Sequence, residues 1–347
     1  MIWLTWRQFR AQAIVAISAL ATLAIALAVT GPQLASMYGT SGIATCSAKS
    51  DCGAVVSKFI SELKADSVYE ALFYVGIAVL YAAPVAIGVF WGAPLVTREY
   101  EAGTLRLVWN QSVIRTRWLA AKLGLIGLAA IATAGLFSLI VSWWASPIDR
   151  AIQAGNSGGT IGFGRLDPLV FGASGIVPIG YAAFAFALGV TAGVLIRRTV
   201  PAMVATLSSF AAVELAWTFW IRAHLITPVR VIAPLGNPAN LGLLIVQNGK
   251  SMTVRGNWSM PGAWLISNQS IDQAGHVFTG PATQACLGNS ISACNAWLAS
   301  KHLRQLVTYQ PASRFWAFQW SETAIFLALA LALAGFCAWW IGRRRSS

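Results

Sequence analysis

The chain has 347 residues, of which 57% are hydrophobic and only 10% charged, and a formal net charge of +13. A mean hydropathy of +0.65 excludes an ordinary soluble globular protein, in which about a quarter of the residues are charged. The basic residues flank apolar runs and form no patch on a soluble face, which excludes a nucleic-acid-binding module.

Six apolar blocks approach the ~20 residues that cross ~30 Å of hydrocarbon as a helix, the form in which a single segment satisfies its own backbone. They lie at 11–30, 71–93, 121–144, 173–196, 201–221 and 321–342. The reading is an all-α integral membrane protein. Ahead of the first block, residues 1–10, MIWLTWRQFR, place Ile2, Trp6, Phe9 and Ala13 on one helical face. That pattern suits either an interfacial helix or the aromatic belt of a span. A signal peptide is disfavoured, because the apolar run that follows exceeds the usual ~7 to 15 residues.

Orientation follows from Lys and Arg. With the N-terminus cytoplasmic, Arg7, Arg10, Arg98, Arg106, Arg115, Arg117, Lys122, Arg197, Arg198, Arg343, Arg344 and Arg345 all fall on the inner side. The outer side then receives most of the acids, Glu322 among them, so both termini are expected in the cytoplasm and the protein in the plasma membrane. Cys46 and Cys52 fall in the first outer loop and Cys286 and Cys294 in the last, with Cys337 inside the sixth span. Outer cysteines lie where disulfides persist. Of the possible pairings, short loop closure favours Cys46 with Cys52 and Cys286 with Cys294.

Residues 222–320 form the largest segment outside the bilayer and are expected to be a mixed extracellular domain. NWSMPGAWLISNQS has the look of strands and turns, and helical signals return from Ala293 to Leu306. His224, His276 and His302 lie here without a carboxylate-flanked pairing and read as structural, so no metal site is expected. The GKS at 249–251 is no P-loop, because Leu244 stands where the first glycine is required. No catalytic motif is recognisable. Glu214 is the one ionisable residue read as lying well inside a span, where a carboxylate costs ~2.5 kcal/mol or more on insertion scales. It lines a pathway or an interface, or else reaches interfacial water from two turns below the outer end. Gly88 with Gly92, and Gly189 with Gly193, have the spacing that permits close helix contact.

The sizeable inner loop runs from 94 to 122 and contains REYEAGTLRLVWNQSVIRTRWLAAKL. Glu99 and Glu101 oppose the local basic trend and call for a partner such as Arg98, Arg106 or a basic group on another protein. Leu105, Val108 and Trp109 have the spacing of a short surface helix.

This loop resembles the cytoplasmic loop of ABC-2 type transporter permeases: acidic residues, Gly-Thr, a short coupling helix, and an arginine-bearing approach to the third span. YQPASRFWAFQWSETAIF and the terminal arginines are similar to actinobacterial members of that family. The resemblance implies six transmembrane helices in the ABC-2, type V exporter-like arrangement. It implies a permease subunit exporting an amphipathic or lipid-like compound and paired with a second permease copy or paralogue. Two cytoplasmic ABC ATPases would carry the ATP and Mg, and this chain would bind no cofactor of its own. Glu99, Glu101, Gly103, Thr104 and Arg106 would take the ATPase-coupling role, and membrane lipid would be a further partner. The segment between spans five and six is longer than in compact members, which leaves open a membrane-embedded enzyme or a ligand sensor acting through that domain.

Overall fold

The computed structural model describes residues 2–46, 52–103, 115–155, 164–235, 241–247, 251–256, 258, 260–281, 286 and 291–343. Helix α1 (Ile2–Thr40) is followed by α2 (Cys52–Ala65), α3 (Ser67–Ala86) and α4 (Pro94–Glu101), with a π-helical turn at Ile87–Gly92 joining the last two. Then come α5 (Arg115–Ala154), the short α6 (Pro168–Gly172), α7 (Val177–Ile196) and α8 (Thr199–Ala216). A second π-helical turn, Trp217–Ile221, leads into α9 (Arg222–Leu225). After the strands and α10 (Ile291–Ser300), α11 (Phe315–Arg343) closes the chain.

Among the described residues, six helical segments are long and apolar enough to cross a membrane: Arg10–Thr40, Ser67–Glu101, Ala120–Ala154, Val177–Ile196, Thr199–Leu225 and Ala312–Arg343. The expected order and number hold, but several boundaries move. Spans two and three have 35 residues each, ~53 Å at 1.5 Å per residue, so they project well past the hydrocarbon. Residues 2–10 continue into span one without a break, in place of a separate interfacial helix. Span five extends to Leu225 and span six begins at Ala312, so the segment between them is shorter than 222–320 at both ends.

Span four is the central post. Val177, Tyr181, Ala185, Val190 and Val194 along it are buried, and it packs against spans two, three, five and six. The two glycine pairs explain how spans two and four approach. A methyl group on Gly88 would sit 2.7 Å from the Ala185 carbonyl oxygen, one on Gly92 2.6 Å from that of Phe186, and one on Gly193 2.7 Å from that of Ala93. Backbone touches backbone there, which only a residue without Cβ permits. Span one is peripheral, held to span three by Leu27, Leu34 and Trp144 in one apolar cluster and by the Trp144 indole N–H donating to the Thr30 hydroxyl at 3.0 Å.

Between spans five and six lie β1 (Val229–Pro234), β2 (Leu241–Gln247), β3 (Ser251–Gly256), β4 (Trp264–Ile271), β5 (Gly280–Pro281) and β6 (Arg304–Gln310). They form two three-stranded sheets, ordered β1-β6-β4 and β2-β3-β5, with antiparallel pairs such as Val229 opposite Tyr309. Asn268 donates to the Gly256 carbonyl at 2.8 Å, joining the two sheets. The small core of Leu235, Val254, Leu298 and Leu303 is supplemented by a bridge between Cys286 and Cys294. Cys46 is bonded to Cys52. The expected helix from Ala293 to Leu306 stops at Ser300, because His302 takes a left-handed backbone (φ 47°). Leu306 belongs to β6, where it alternates with the buried Gln305 and Val307.

Candidate functional site

Two constellations of polar side chains stand out, one at each end of the bundle. At the end away from the sheets, Pro94 supplies no N–H to the Phe90 carbonyl four residues earlier. The Gln12 amide of span one donates to that carbonyl at 3.1 Å. Pro94 also starts α4, which carries Thr97, Glu99 and Glu101 past the ends of the neighbouring spans.

Glu99, with Arg98, Arg106 or a basic group on another protein as its expected partner, forms a buried ion pair with Lys122 at the start of span three. Glu101 is exposed and bonds to span five. Its carboxylate accepts from the Thr199 N–H at 2.7 Å and from the Thr199 hydroxyl at 2.8 Å, an anion at a helix N-terminus. The Thr97 hydroxyl lies 2.8 Å from that of Thr199, and the Arg197 guanidinium stacks over the Tyr100 ring at 5.5 Å. Three chain segments are thereby fastened to one short helix. Gly103, just beyond it, has a φ of 64°. That left-handed backbone suits glycine and turns the chain away. Thr104 and Arg106, and the expected surface helix from Leu105 to Trp109, lie outside the described residues.

At the sheet end the structure corrects the sequence reading twice. Glu322, expected on the outer side, is fully buried within span six, and Arg222, expected in the outer domain, is buried in the last turns of span five. The Arg222 guanidinium grips both Glu322 carboxylate oxygens at 2.9 Å. It also donates to the Pro168 carbonyl at 2.7 Å and to the Tyr181 hydroxyl at 2.9 Å, and lies 4.7 Å over the Phe171 ring. The Tyr181 hydroxyl in turn donates to Glu322. One turn before Glu322, Gln319 accepts from the N–H groups of Ile176 and Val177 at 2.9 and 3.1 Å and so caps span four.

Glu214 borders this cluster and is therefore not the lone intramembrane ionisable residue. Its Oε1 accepts from Thr218 at 3.4 Å, and its Oε2 is buried with no hydrogen-bond partner. Span five thus presents Glu214 and Arg222 on either side of its π-helical turn. Beside the cluster, Asp167 accepts from the Gly164 N–H at 3.0 Å. Burial nevertheless raises its carboxyl above the usual carboxylate range.

Lys122, Thr199, Tyr181, Arg222, Gln319 and Glu322 escaped the sequence reading as site residues. The available signal was the recurrence of charged or amide residues at the ends of apolar runs. It points equally to solvent, because only the third dimension shows which ends face inward.

In both constellations the ion pairs, caps and hydroxyl contacts join helices to helices. A family model described as ABC-2 membrane transporter related matches residues 17–222. The chain belongs to this family. No curated protein matches the chain, and no solved structure does. As an ABC-2 permease subunit of a transporter, the protein is expected to move spans, and the two constellations are the places where spans are tied together. The matched region contains spans two to four complete with the Glu99–Lys122 and Glu101–Thr199 contacts, and ends at Arg222. The sheet domain and span six, which supplies Glu322, lie beyond it.

Proposed function

We propose that this ABC-2 permease subunit exports an amphipathic or lipid-like compound. It would be powered by two copies of a separate cytoplasmic ABC ATPase, which carry the ATP and Mg and dock on the 99–112 region. A second permease copy or a paralogue completes the pathway. In this reading both termini and the α4 end face the cytoplasm of a plasma membrane, and the sheet domain is extracellular. The positive-inside distribution supports that orientation, and so do two disulfides, both at the sheet end.

The observation that carries the proposal is the fastening of α4 to spans three and five through Glu99–Lys122 and Glu101–Thr199. A push on the segment after Gly103 is transmitted to three spans at once, because the helix that receives it continues span two and is bonded to spans three and five. An ATPase then shifts the permease between two arrangements through its differential contact with each.

The test is affinity capture of the chain from native membranes, with identification of partners and measurement of ATP-driven transport. A co-purifying protein with Walker motifs is expected. Glu101→Arg is expected to abolish coupled transport while leaving membrane insertion intact, and Thr199→Ala, which removes the hydroxyl on the other side of the same contact, is expected to reduce it. Normal ATP-driven transport by Glu101→Arg, or the absence of any nucleotide-binding partner in mild detergent, overturns the reading.

A further inference from the structure

Among the described residues, spans one, two and three leave a partly open groove of about 570 Å³ on the flank of the bundle. We propose that it holds one anionic phospholipid from the leaflet at the α4 end, with an acyl chain along the alanines of the lining and the phosphate against Arg98. The proposal stands apart from the coupling reading and does not depend on an ATPase.

The lining includes small exposed side chains, Ala19 on span one and Ala82 and Ala86 on span two, together with the exposed ring of Phe90 and the buried ring of Phe137. A row of small exposed side chains lets a linear hydrocarbon chain lie close against both helices. The wall's polar groups are turned into the protein. Gln12 donates to the Phe90 carbonyl and Thr133 to that of Ala129 at 2.8 Å, so apart from Arg98 the lining offers an occupant mainly hydrocarbon contact.

Length and charge then specify which hydrocarbon. From Val79 to Trp91 along span two the lining is apolar, a rise of ~18 Å, close to the ~15 Å of one leaflet's hydrocarbon. Arg98 lines the groove about two turns further on, where headgroups lie. Its side chain is exposed, and among the described residues it has no ion pair. The carboxylates beside it are engaged elsewhere, Glu99 with Lys122 and Glu101 with Thr199. A phosphate is the complementary group that a bilayer supplies at that depth, and a headgroup without a cation of its own leaves that charge for Arg98, whereas the choline of a zwitterionic lipid already neutralises it.

The experiment uses the full chain in phosphatidylcholine nanodiscs doped with photoactivatable phosphatidylglycerol or photoactivatable phosphatidylcholine of identical acyl chains. Cross-linked peptides are mapped by mass spectrometry. The phosphatidylglycerol probe is expected to label the Val79–Trp91 stretch about fivefold more than the phosphatidylcholine probe, the ratio corresponding to ~1 kcal/mol for one cation at the surface. Arg98→Gln is expected to abolish that preference while retaining labelling, and Ala82→Leu with Ala86→Leu to lower labelling by both probes. Equal wild-type labelling by the two probes overturns the proposal. So does a preference that survives Arg98→Gln, or a protein cross-link showing a second copy seated in the groove. The wild-type ratio decides the matter even if a variant fails to fold.

Discussion

Arg222 and Glu322 stand 100 positions apart in sequence and meet in a two-pronged ion pair buried between spans five and six. The pair fastens the two helices that flank the sheet domain, and its remaining donors hold Pro168 and Tyr181. Removing one member leaves the other charged and buried. Arg222→Met or Glu322→Gln alone is expected to cost ~3 to 5 kcal/mol, seen as a large fall in the unfolding temperature in detergent. The combined Arg222→Met and Glu322→Leu variant is expected to be more stable than either.

Glu214 should behave in the opposite way. One of its carboxylate oxygens is buried without a partner, and leaving such a group unsatisfied costs ~1 to 3 kcal/mol. Glu214→Met is therefore expected to unfold at a higher temperature than the natural protein. A transport assay on the same variant separates the two roles: retained transport makes Glu214 structural, and lost transport in a more stable protein makes it functional.

The contact between spans two and four sets a sharp contrast among glycines. Gly189 faces the backbone of Gly88 and Ala93, whereas Gly124 has no atom within 4 Å of where a methyl would go. Gly189→Ala is expected to lower folded yield and unfolding temperature, since overpacking against backbone costs ~1 to 3 kcal/mol. Gly124→Ala is expected to gain ~0.5 to 1 kcal/mol from reduced backbone freedom in a helix. Thermal unfolding of the two purified variants side by side checks both signs.

Thiol counting tests the covalent framework. Of five cysteines, four are paired, and Cys337 is free and buried. An impermeant thiol reagent is expected to find no reactive group in the folded protein, one after denaturation, and all five after denaturation with reductant. A second reactive thiol in the unreduced, denatured chain would show that one of the bridges is not formed.

The Glu101–Thr199 contact contributes a helix cap besides the part in coupling proposed for it. Glu101→Gln and Thr199→Ala are each expected to destabilise the start of span five by ~1 kcal/mol. Hydrogen exchange at the first turn after Arg198 is the direct measurement, with faster exchange in both variants and unchanged exchange in the core of span four.

The six spans and their order, the disulfide partners and the close approach permitted by Gly88, Gly92, Gly189 and Gly193 were all legible in the sequence. Each of these depends on short-range pattern: a run long enough to cross hydrocarbon, two cysteines a short loop apart, two small residues on one helical face. Long-range pairing decided the rest. Arg222 and Glu322 read as aqueous because an isolated charge is costly in hydrocarbon, and nothing local shows that each is offset by the other across 100 residues. Glu99 chose Lys122 over its neighbour Arg98, and Glu101 chose the first turn of span five, because the packing of span four brings those groups together. Composition and periodicity thus determined that the chain is a six-span membrane protein. Only the tertiary structure decided which of its scarce charges are fastenings between helices, since that depends on which helix ends meet.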